Sequence, residues 1–282
     1  MSPDTLSVGL RSVLFLCLFQ AAGAALFLLV FGSRLESSLR FIRRLALWAA
    51  SGGWLLIAAH QFVEAARLAG DFTGLSDASL QRLALRSSGA AAHLAQALGL
   101  LLIAAGRRSR VLLAMGVALA IGSFALTGHT SVHPLRAWLV PLLCLHLAIV
   151  AFWSGALLPL LAVLRKEPLE LAQRVFERFS KLAAWLVPLI ALAGLAMACL
   201  LVPDVAVLWQ PYGELLTLKL ALFGVLMVLA ALNKWRLVPG LRDTAGGDAG
   251  TQLVRSLLAE YLLIAAVLCV TAVLTTFYSP EG

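Results

Sequence analysis

The sequence predicts an all-α, polytopic membrane protein that forms a single bundle of about eight transmembrane helices. Hydrophobic residues make up 61% of the 282 residues and charged residues only 13%, and the mean hydropathy is +0.95. Soluble domains have nearer half apolar and about a quarter charged residues. A helix crosses a bilayer with about 20 apolar residues, and long apolar runs recur along the chain. A β-barrel would instead show short alternating segments.

Eight apolar runs define the predicted spans in chain order. They cover about Val8–Phe31, Leu45–Leu68, Leu83–Ala105, Val111–Leu126, Ala137–Leu164, Leu182–Val202, Leu215–Leu232 and Ser256–Phe277. The first has neither the basic leading region nor the cleavage site of a signal peptide, so we expect it to be retained. Pro188 is expected to kink the sixth span. We find no internal repeat and expect residues 1–282 to form one transmembrane domain.

The segment Arg165–Lys181, before the sixth span, is the longest polar connection of the chain. Apolar residues recur in it near helical spacing among charged residues; they are Leu169, Leu171, Val175, Phe176 and Phe179. This pattern predicts an amphipathic helix that lies at the membrane surface.

Basic residues are concentrated in alternate loops between the predicted spans. The loops after spans one, three, five and seven are basic, whereas those after two, four and six are acidic or nearly neutral. The positive-inside rule therefore places both termini on the periplasmic, outer side of a bacterial cytoplasmic (inner) membrane. The same placement accounts for the net charge of +8 without a nucleic-acid partner. The four cysteines have no paired spacing, which argues against a disulfide framework or a zinc ribbon.

The run Thr127–Arg165 collects candidate metal ligands in a loop and one long apolar helix. His129 and His133 lie in the loop, and Cys144 and His146 lie a short way inside the helix. With the predicted orientation the loop is at the outer surface, and His146 lies about nine residues, or about 14 Å, below it. Soft and borderline metal ligands rarely collect in a lipid-facing segment, so the run is a candidate metal site.

Further candidate ligands lie at compatible depths in other spans. His60 is in the second span and His93 near the middle of the third, both between the outer surface and the membrane centre. Sulfur ligands also fall in the outer halves of their spans; they are Cys17, Cys144, Cys199, Cys269 and Met197. Imidazole, thiolate and thioether suit copper, and ionisable residues within a membrane tend to face the bundle interior. These residues therefore predict a copper site in the outer half.

Two charged residues are candidates for tuning this site. Glu64 follows His60 by one helical turn on the same face and can orient the imidazole. Lys219 lies about one turn from the outer end of the seventh span, where it can also snorkel to the interface. Structural alternatives stay open for the ligands too, because a buried histidine can simply hydrogen-bond a neighbouring helix. Membrane cysteines and Met197 can act as apolar packing residues.

An ordered set of motifs runs through the second half of the chain. One helix contains His, Trp and Gly at His146, Trp153 and Gly155. The next helix starts with Arg-Phe-Ser at Arg178–Ser180 and has a glycine near its middle, Gly194. A Tyr-Gly-x-Leu-Leu-x-x-Lys-Leu segment follows at Tyr212–Leu220, and an Asn-x-x-Arg-Leu-x-Pro ending at Asn233–Pro239. The set resembles the copper-resistance D (CopD) family over residues 127–275, whereas residues 1–126 match it only in general character.

The resemblance implies an inner-membrane protein of copper homeostasis and resistance, thought to move copper ions across the membrane. Such proteins often work beside a periplasmic copper-binding protein (CopC-like). The resemblance adds Trp153 to the residues expected along the transport path. The sequence has no ATPase P-loop and no phosphorylated-Asp motif, so direct ATP drive is not expected. No nucleophile–base–acid set is evident, so we do not expect an enzyme.

The leading prediction is therefore a copper-binding membrane protein that passes the ion inward. In this prediction His129 and His133 capture the ion at the outer mouth, and the three histidines within the spans carry it down the bundle. Cys144 or Met197 can add a sulfur ligand. Glu64, Lys219 and Trp153 would influence the charge and shape of the path.

Two alternatives remain open from the sequence. A b-type cytochrome would use two of His60, His93 and His146 as axial ligands of haem b, which makes the protein an electron carrier or a metal reductase. A copper chaperone or assembly factor would deliver copper to a respiratory enzyme without transporting it. Measured haem and copper contents separate the first alternative from the leading prediction.

Overall fold

The structure, a computed structural model, describes residues 2–106, 108–128, 131, 133–201, 209–243 and 248–278. Its α-helices, numbered here in chain order, are α1 (Pro3–Phe31), α2 (Leu39–Ala69), α3 (Ala78–Leu85), α4 (Ser88–Ala105), α5 (Arg110–Gly122), α6 (Arg136–Lys166), α7 (Leu169–Leu201), α8 (Pro211–Leu232), α9 (Val238–Asp243) and α10 (Asp248–Phe277). They are accompanied by 3₁₀ turns at Gly32–Arg34, Phe72–Ser76 and Ser123–Leu126 and by a π-helical segment at Asn233–Leu237. The described residues contain no strand, which confirms the predicted all-α class.

Seven helices of the described part of the chain are long and apolar enough to cross a membrane. They are Pro3–Arg34, Leu39–Ala69, Ser88–Ala105, Arg136–Lys166, Leu169–Leu201, Pro211–Leu241 and Ala249–Phe277. The fourth predicted span is present as Arg110–Leu126, an apolar helix that is shorter than these. The chain is thus a multi-pass helical membrane protein, as the composition predicts.

The third predicted span begins later than expected. The sequence predicts one helix over Leu83–Ala105, whereas the structure has two helices, α3 and α4, separated at Ser87. Ser87 caps α4, because its Oγ accepts a hydrogen bond from the backbone nitrogen of Ala90 at 3.1 Å and so satisfies a free N–H of the first turn. The break leaves His93 within the first two turns of α4, nearer the helix end than the predicted mid-depth position.

The predicted surface helix at Arg165–Lys181 is wrong as a separate element. α7 continues from this segment through the sixth predicted span, because no glycine or proline interrupts the helix between the two. The apolar face of its first turns packs on the bundle, where the Phe179 and Phe152 rings have centroids 5.7 Å apart. Gln173 Nε2 also donates a hydrogen bond to Leu241 O at 2.8 Å. The face that predicts contact with lipid headgroups therefore contacts protein.

Helix α1 lies at the centre of the bundle and packs against α2, α5, α6 and α10. It is closest to α6 at Gly23 and Gly155, where a Cβ on either glycine would overlap the backbone of the other helix. Across the same crossing, Gln20 Nε2 donates a hydrogen bond to Gly155 O at 3.1 Å. Small residues allow helix backbones to approach closely in a membrane, where van der Waals packing drives association. α1 therefore joins helices from both halves of the chain.

Successive long helices run in opposite directions, so the connections fall on two sides of the bundle. One side, called here the acidic side, carries Asp4, Asp71 and Asp77 together with Arg67, Arg82 and Arg86. Hydrogen bonds from the Thr73 hydroxyl lower the pKa of Asp71, and hydrogen bonds from the Ser79 hydroxyl lower the pKa of Asp77. Both carboxylates therefore stay ionised at neutral pH. The opposite, basic side carries Arg34, Arg40, Arg43, Arg44, Arg165, Lys166, Lys234 and Arg236.

On the basic side, Glu167 ties the end of α6 to the start of α2. Its Oε1 accepts hydrogen bonds from Ser38 Oγ at 2.6 Å, Ser38 N at 2.8 Å and Glu36 N at 3.2 Å. Burial alone would raise the pKa of Glu167, but the hydrogen bonds to its ionised form outweigh burial, so its pKa lies below the ordinary value. The carboxylate thereby supplies partners for backbone N–H groups at the start of α2.

Candidate metal-binding site

Two histidines from different helices meet toward the acidic side. His60 on α2 and His93 on α4 have ring centroids 5.0 Å apart, with the ring planes at 85° in an edge-to-face arrangement. His60 is 2% exposed, and His93 is partly buried. We call these two residues the histidine pair. The sequence predicts compatible depths for them, and the structure brings them into contact.

His60 is held at one ring nitrogen and has no partner at the other. Its Nε2 lies 3.0 Å from Ser7 Oγ on α1 and 3.6 Å from Glu64 Oε1. An ionised carboxylate can only accept a hydrogen bond, so this neighbour favours a proton on Nε2. The Nδ1 atom is buried and has no hydrogen-bond partner. The His60 ring therefore has an unshared lone pair that can bind a metal ion.

His93 is held in a comparable way by a residue of α2. Its Nδ1 lies 2.7 Å from Gln61 Oε1. An amide oxygen accepts hydrogen bonds, so Nδ1 donates and the proton-free nitrogen is Nε2. Histidines that bind metals usually donate the N–H of the second ring nitrogen to such a partner. Each ring of the histidine pair thus has one anchored nitrogen and one nitrogen free to bind a metal.

A chain of charged side chains lies beside the histidine pair. Arg67 Nη1 lies 3.0 Å and 3.2 Å from the two carboxylate oxygens of Glu64, and Arg67 Nε lies 2.9 Å from Asp4 Oδ1. Arg11 on α1 donates a hydrogen bond to Thr276 Oγ1 at 3.0 Å and so joins α1 to the end of α10. These contacts hold Glu64 next to His60, in the position that the sequence predicts for an orienting carboxylate.

His146 lies apart from the histidine pair, on α6 against α7. Its Nδ1 lies 3.2 Å from Ile190 O, which accepts a hydrogen bond from that nitrogen. The ring fits beside Gly194, where an added Cβ would lie 3.5 Å from His146 Cε1. Lys219 on α8 is close enough for its charge to act on the ring. The structure therefore separates the predicted intramembrane histidines into a pair and a single residue.

The other predicted ligands do not join either position. Backbone N of Leu135 donates a hydrogen bond to His133 Nδ1 at 3.1 Å, so His133 organises the start of α6. His129 lies outside the described residues. Cys144 packs against the apolar core, and Met197 is partly buried on α7. Within the described ranges, no group of three or more His, Cys, Asp and Glu side chains is arranged to hold a metal ion.

Several polar residues that contact the candidate residues were not predicted from the sequence. Ser7 and Gln61 hold the histidine pair, and neither belongs to a pattern that the sequence displays. Trp153, expected along the path, donates a hydrogen bond from Nε1 to Glu260 Oε2 at 3.3 Å. Glu260 is 2% exposed, and its place inside the last span is a signal of function that the sequence does show.

Haem does not fit between the rings of the histidine pair. Two axial histidines of a haem lie on opposite faces of the porphyrin, whereas the rings of His60 and His93 are in edge-to-face contact. His146 donates to α7 and lies away from both. The arrangement leaves one proton-free nitrogen on each of two neighbouring imidazoles.

Comparison with known proteins finds similarity to copper-resistance and copper-transport proteins. Residues 173–274 match the family model of CopD, Copper resistance protein D. The chain is 33% identical over 152 residues to Copper resistance protein D of Pseudomonas syringae pv. tomato, which covers 50% of this chain and 48% of that protein. It is 30% identical over 161 residues to Copper transport protein CutJ of Bacillus subtilis (strain 168), which covers 55% of this chain and 28% of that protein.

The chain spans about half the length of the first relative and little more than a quarter of the second. No solved structure matches the chain. The family match lies in the half of the chain that contains α7, α8 and α10. Together with the multi-pass helical fold, these matches show a membrane protein whose residues 173–274 are similar to the copper-resistance D (CopD) family.

Proposed function

We propose that the protein binds copper at the histidine pair and moves the ion across the cytoplasmic membrane. The observation that carries this proposal is the geometry of His60 and His93, two anchored imidazoles in contact, each with a nitrogen free to bind a metal. His60 Nδ1 is buried without a partner. Such an atom costs about 1–3 kcal/mol of stability, and a bound metal ion would offset that cost.

The number and kind of ligands favour copper over zinc. Structural zinc sites use four protein ligands and catalytic zinc sites three, whereas the histidine pair offers two imidazoles. Imidazole is a good copper ligand. A site with few ligands also allows the ion to leave, as passage through a membrane requires. The printed names of both relatives include copper, which supports the same choice of metal.

His146 is the second position on the proposed path. It offers one imidazole on α6. The charge of the nearby Lys219 would act on a proton or a cation at this position. His129 and His133 are proposed to capture the ion at the mouth of the path.

The acidic side is proposed to face the periplasm, since basic loops remain in the cytoplasm. Both chain termini then lie outside the cytoplasm of a bacterial cell. Ionised Asp71 and Asp77 would raise the local concentration of cations at this surface. A periplasmic copper-binding protein of the CopC type is the proposed donor of copper. Transport without chemical conversion would make the protein a permease and not an enzyme.

Copper uptake by proteoliposomes tests the proposal. The purified chain should bind copper and support uptake, and the variant His60→Ala/His93→Ala should lose both. Gln252→Ala, at an exposed position of α10, is the control and should retain both. Copper binding without uptake by the wild-type chain would favour a copper-delivery factor. Absence of both in folded wild-type protein would contradict the proposed function.

A further inference from the structure

A second buried polar cluster lies toward the basic side of the bundle. It borders a cavity of about 290 Å³ between α7 and α8, with further walls from α6 and α10. α7 and α8 are not packed along each other, and Ala184, Pro188 and Trp235 at the cavity are exposed. The cavity therefore opens sideways from the bundle, and a ligand dissolved in the membrane could reach it without passing through the histidine pair.

Glu260 brings a carboxylate to the wall of this cavity. It accepts one hydrogen bond from Trp153 Nε1 at 3.3 Å and another from Asn233 Nδ2. Both donors are uncharged. Among the residues that the structure describes, none with a positive charge lies within ion-pair distance of Glu260. The nearest basic residue of the lining, Lys234, is exposed, with Nζ 5.8 Å from the ring centroid of Trp235.

An uncompensated carboxylate inside a membrane protein is unfavourable, so such groups pair with a cation or take up a proton. The amide of Asn233 adds a second acceptor, because its Oδ1 is buried without a hydrogen-bond partner and the residue is 8% exposed. Asn233 also begins the π-helical segment Asn233–Leu237, and π-helical turns are frequent at functional sites. The cavity thus presents two oxygen acceptors, and the basic residue of its lining, Lys234, is exposed and forms no ion pair with Glu260.

The remainder of the cavity wall is apolar and aromatic. Its aromatic residues are Trp153, Phe176, Phe179 and Trp235. Aromatic faces attract organic cations such as quaternary ammonium groups, and ligand pockets typically combine apolar walls with a few polar groups. A hard metal ion takes six or more oxygen ligands, and this mostly apolar wall offers few side-chain oxygens besides those of Glu260 and Asn233. A neutral hydrocarbon would leave the charge of Glu260 uncompensated and Asn233 Oδ1 without a hydrogen-bond partner.

We propose that this cavity binds a lipophilic organic ammonium ion, with Glu260 as its counter-ion. Asn233 Oδ1 faces the positive head group, and the aromatic residues surround the apolar body. The ligand enters from the membrane through the gap between α7 and α8. This site is distinct from the histidine pair, and its function does not depend on copper.

Competition binding with two isosteric probes tests the proposal on the full chain in lipid nanodiscs. Radiolabelled benzyltrimethylammonium is the cation, neopentylbenzene is its uncharged carbon isostere, and empty nanodiscs supply the background. We expect saturable binding of the cation, and displacement by neopentylbenzene at least about tenfold weaker than by unlabelled cation. Glu260→Gln should weaken cation binding by about tenfold or more, since it removes a charged partner. Glu214→Gln, at an exposed position of α8, should bind as the wild type does.

The comparison of the two probes on the wild-type chain decides the proposal even where Glu260→Gln does not fold. Equal displacement by both probes would reduce the cavity to an apolar crevice filled by lipid and would overturn the proposal. Absence of saturable cation binding, or equal affinity in folded Glu260→Gln, would overturn it as well. Copper binding by Glu260→Gln is expected to be unchanged, which separates this site from the proposed copper site.

Discussion

His60 and His93 belong to helices separated by a loop and a short helix, yet their rings meet edge to face with centroids 5.0 Å apart. Each ring is anchored through one nitrogen, by Ser7 and Glu64 for His60 and by Gln61 for His93. The relationship turns two isolated intramembrane imidazoles into a candidate site for a single ion.

Gln61→Leu should weaken copper binding without removing a proposed ligand. Gln61 Oε1 accepts the hydrogen bond that fixes the tautomer and orientation of His93, and loss of such a partner typically costs about 10–100-fold in metal affinity. A competition titration of Cu(I) against a coloured chelator measures the change. Gln252→Leu, at an exposed site, is the matched control, and an unchanged affinity in Gln61→Leu would remove the anchoring role.

His146→Ala should separate copper binding from copper transport. His146 contacts Ile190 and the surface beside Gly194, and it does not belong to the histidine pair. Copper should therefore still bind at the pair, whereas uptake into proteoliposomes should fall to a small part of the wild-type rate. Equal uptake by His146→Ala and the wild type would exclude His146 from the path.

Gly155→Ala should destabilise the bundle because its Cβ would overlap the backbone of α1 at Gly23. Overpacking of this kind costs about 1–3 kcal/mol. Gly224→Ala is the matched control, since a Cβ at Gly224 meets no atom within 4 Å, and alanine there should gain up to about 1 kcal/mol of helix propensity. Thermal unfolding of the two purified variants in detergent measures the difference. Equal midpoints would contradict the close crossing of α1 and α6.

Glu167→Gln should lower stability at neutral pH and make little difference in acid. The pKa of Glu167 is below its ordinary value in the folded chain, so its ionised form stabilises the fold at pH values above the pKa of the unfolded chain. This contribution is lost as the pH falls through the lower, folded pKa. We expect the unfolding midpoints of wild type and variant to differ at pH 7 and to converge below about pH 4. A constant difference across this range would show that the charge of Glu167 has no part in stability.

The helices could be predicted from the sequence because span length and apolar composition are local properties. The helix boundaries were harder to predict than the presence of the helices. α3 ends at Leu85, and Ser87 caps α4 two residues later, inside the run that predicts a single helix. The amphipathic start of α7 packs on protein where its pattern predicts a membrane surface. Capping and the identity of a packing partner depend on neighbours that the local pattern does not specify.

The depth of the candidate site in the membrane stays a prediction from the sequence, and the rotation of its helices could not be predicted. His60, His93 and His146 could be placed in the same half of the membrane from loop charge, but contact between the first two depends on how α2 and α4 turn toward each other. Because helix rotation is not known from the sequence, the contacts of Ser7 and Gln61 with the two histidines could not be predicted either. Glu260 could have been predicted, unlike Ser7 and Gln61, because an acidic residue within an apolar span is visible in the sequence and indicates a functional site.

Copper stoichiometry of the purified chain tests the central claim most directly. A titration of Cu(I) in competition with a coloured chelator compares the wild type with His60→Ala, His93→Ala and the double variant, all verified as folded by circular dichroism. We expect one site in the wild type that either single substitution weakens severely and that the double variant lacks. A double variant that binds copper with the stoichiometry and affinity of the wild type would contradict it.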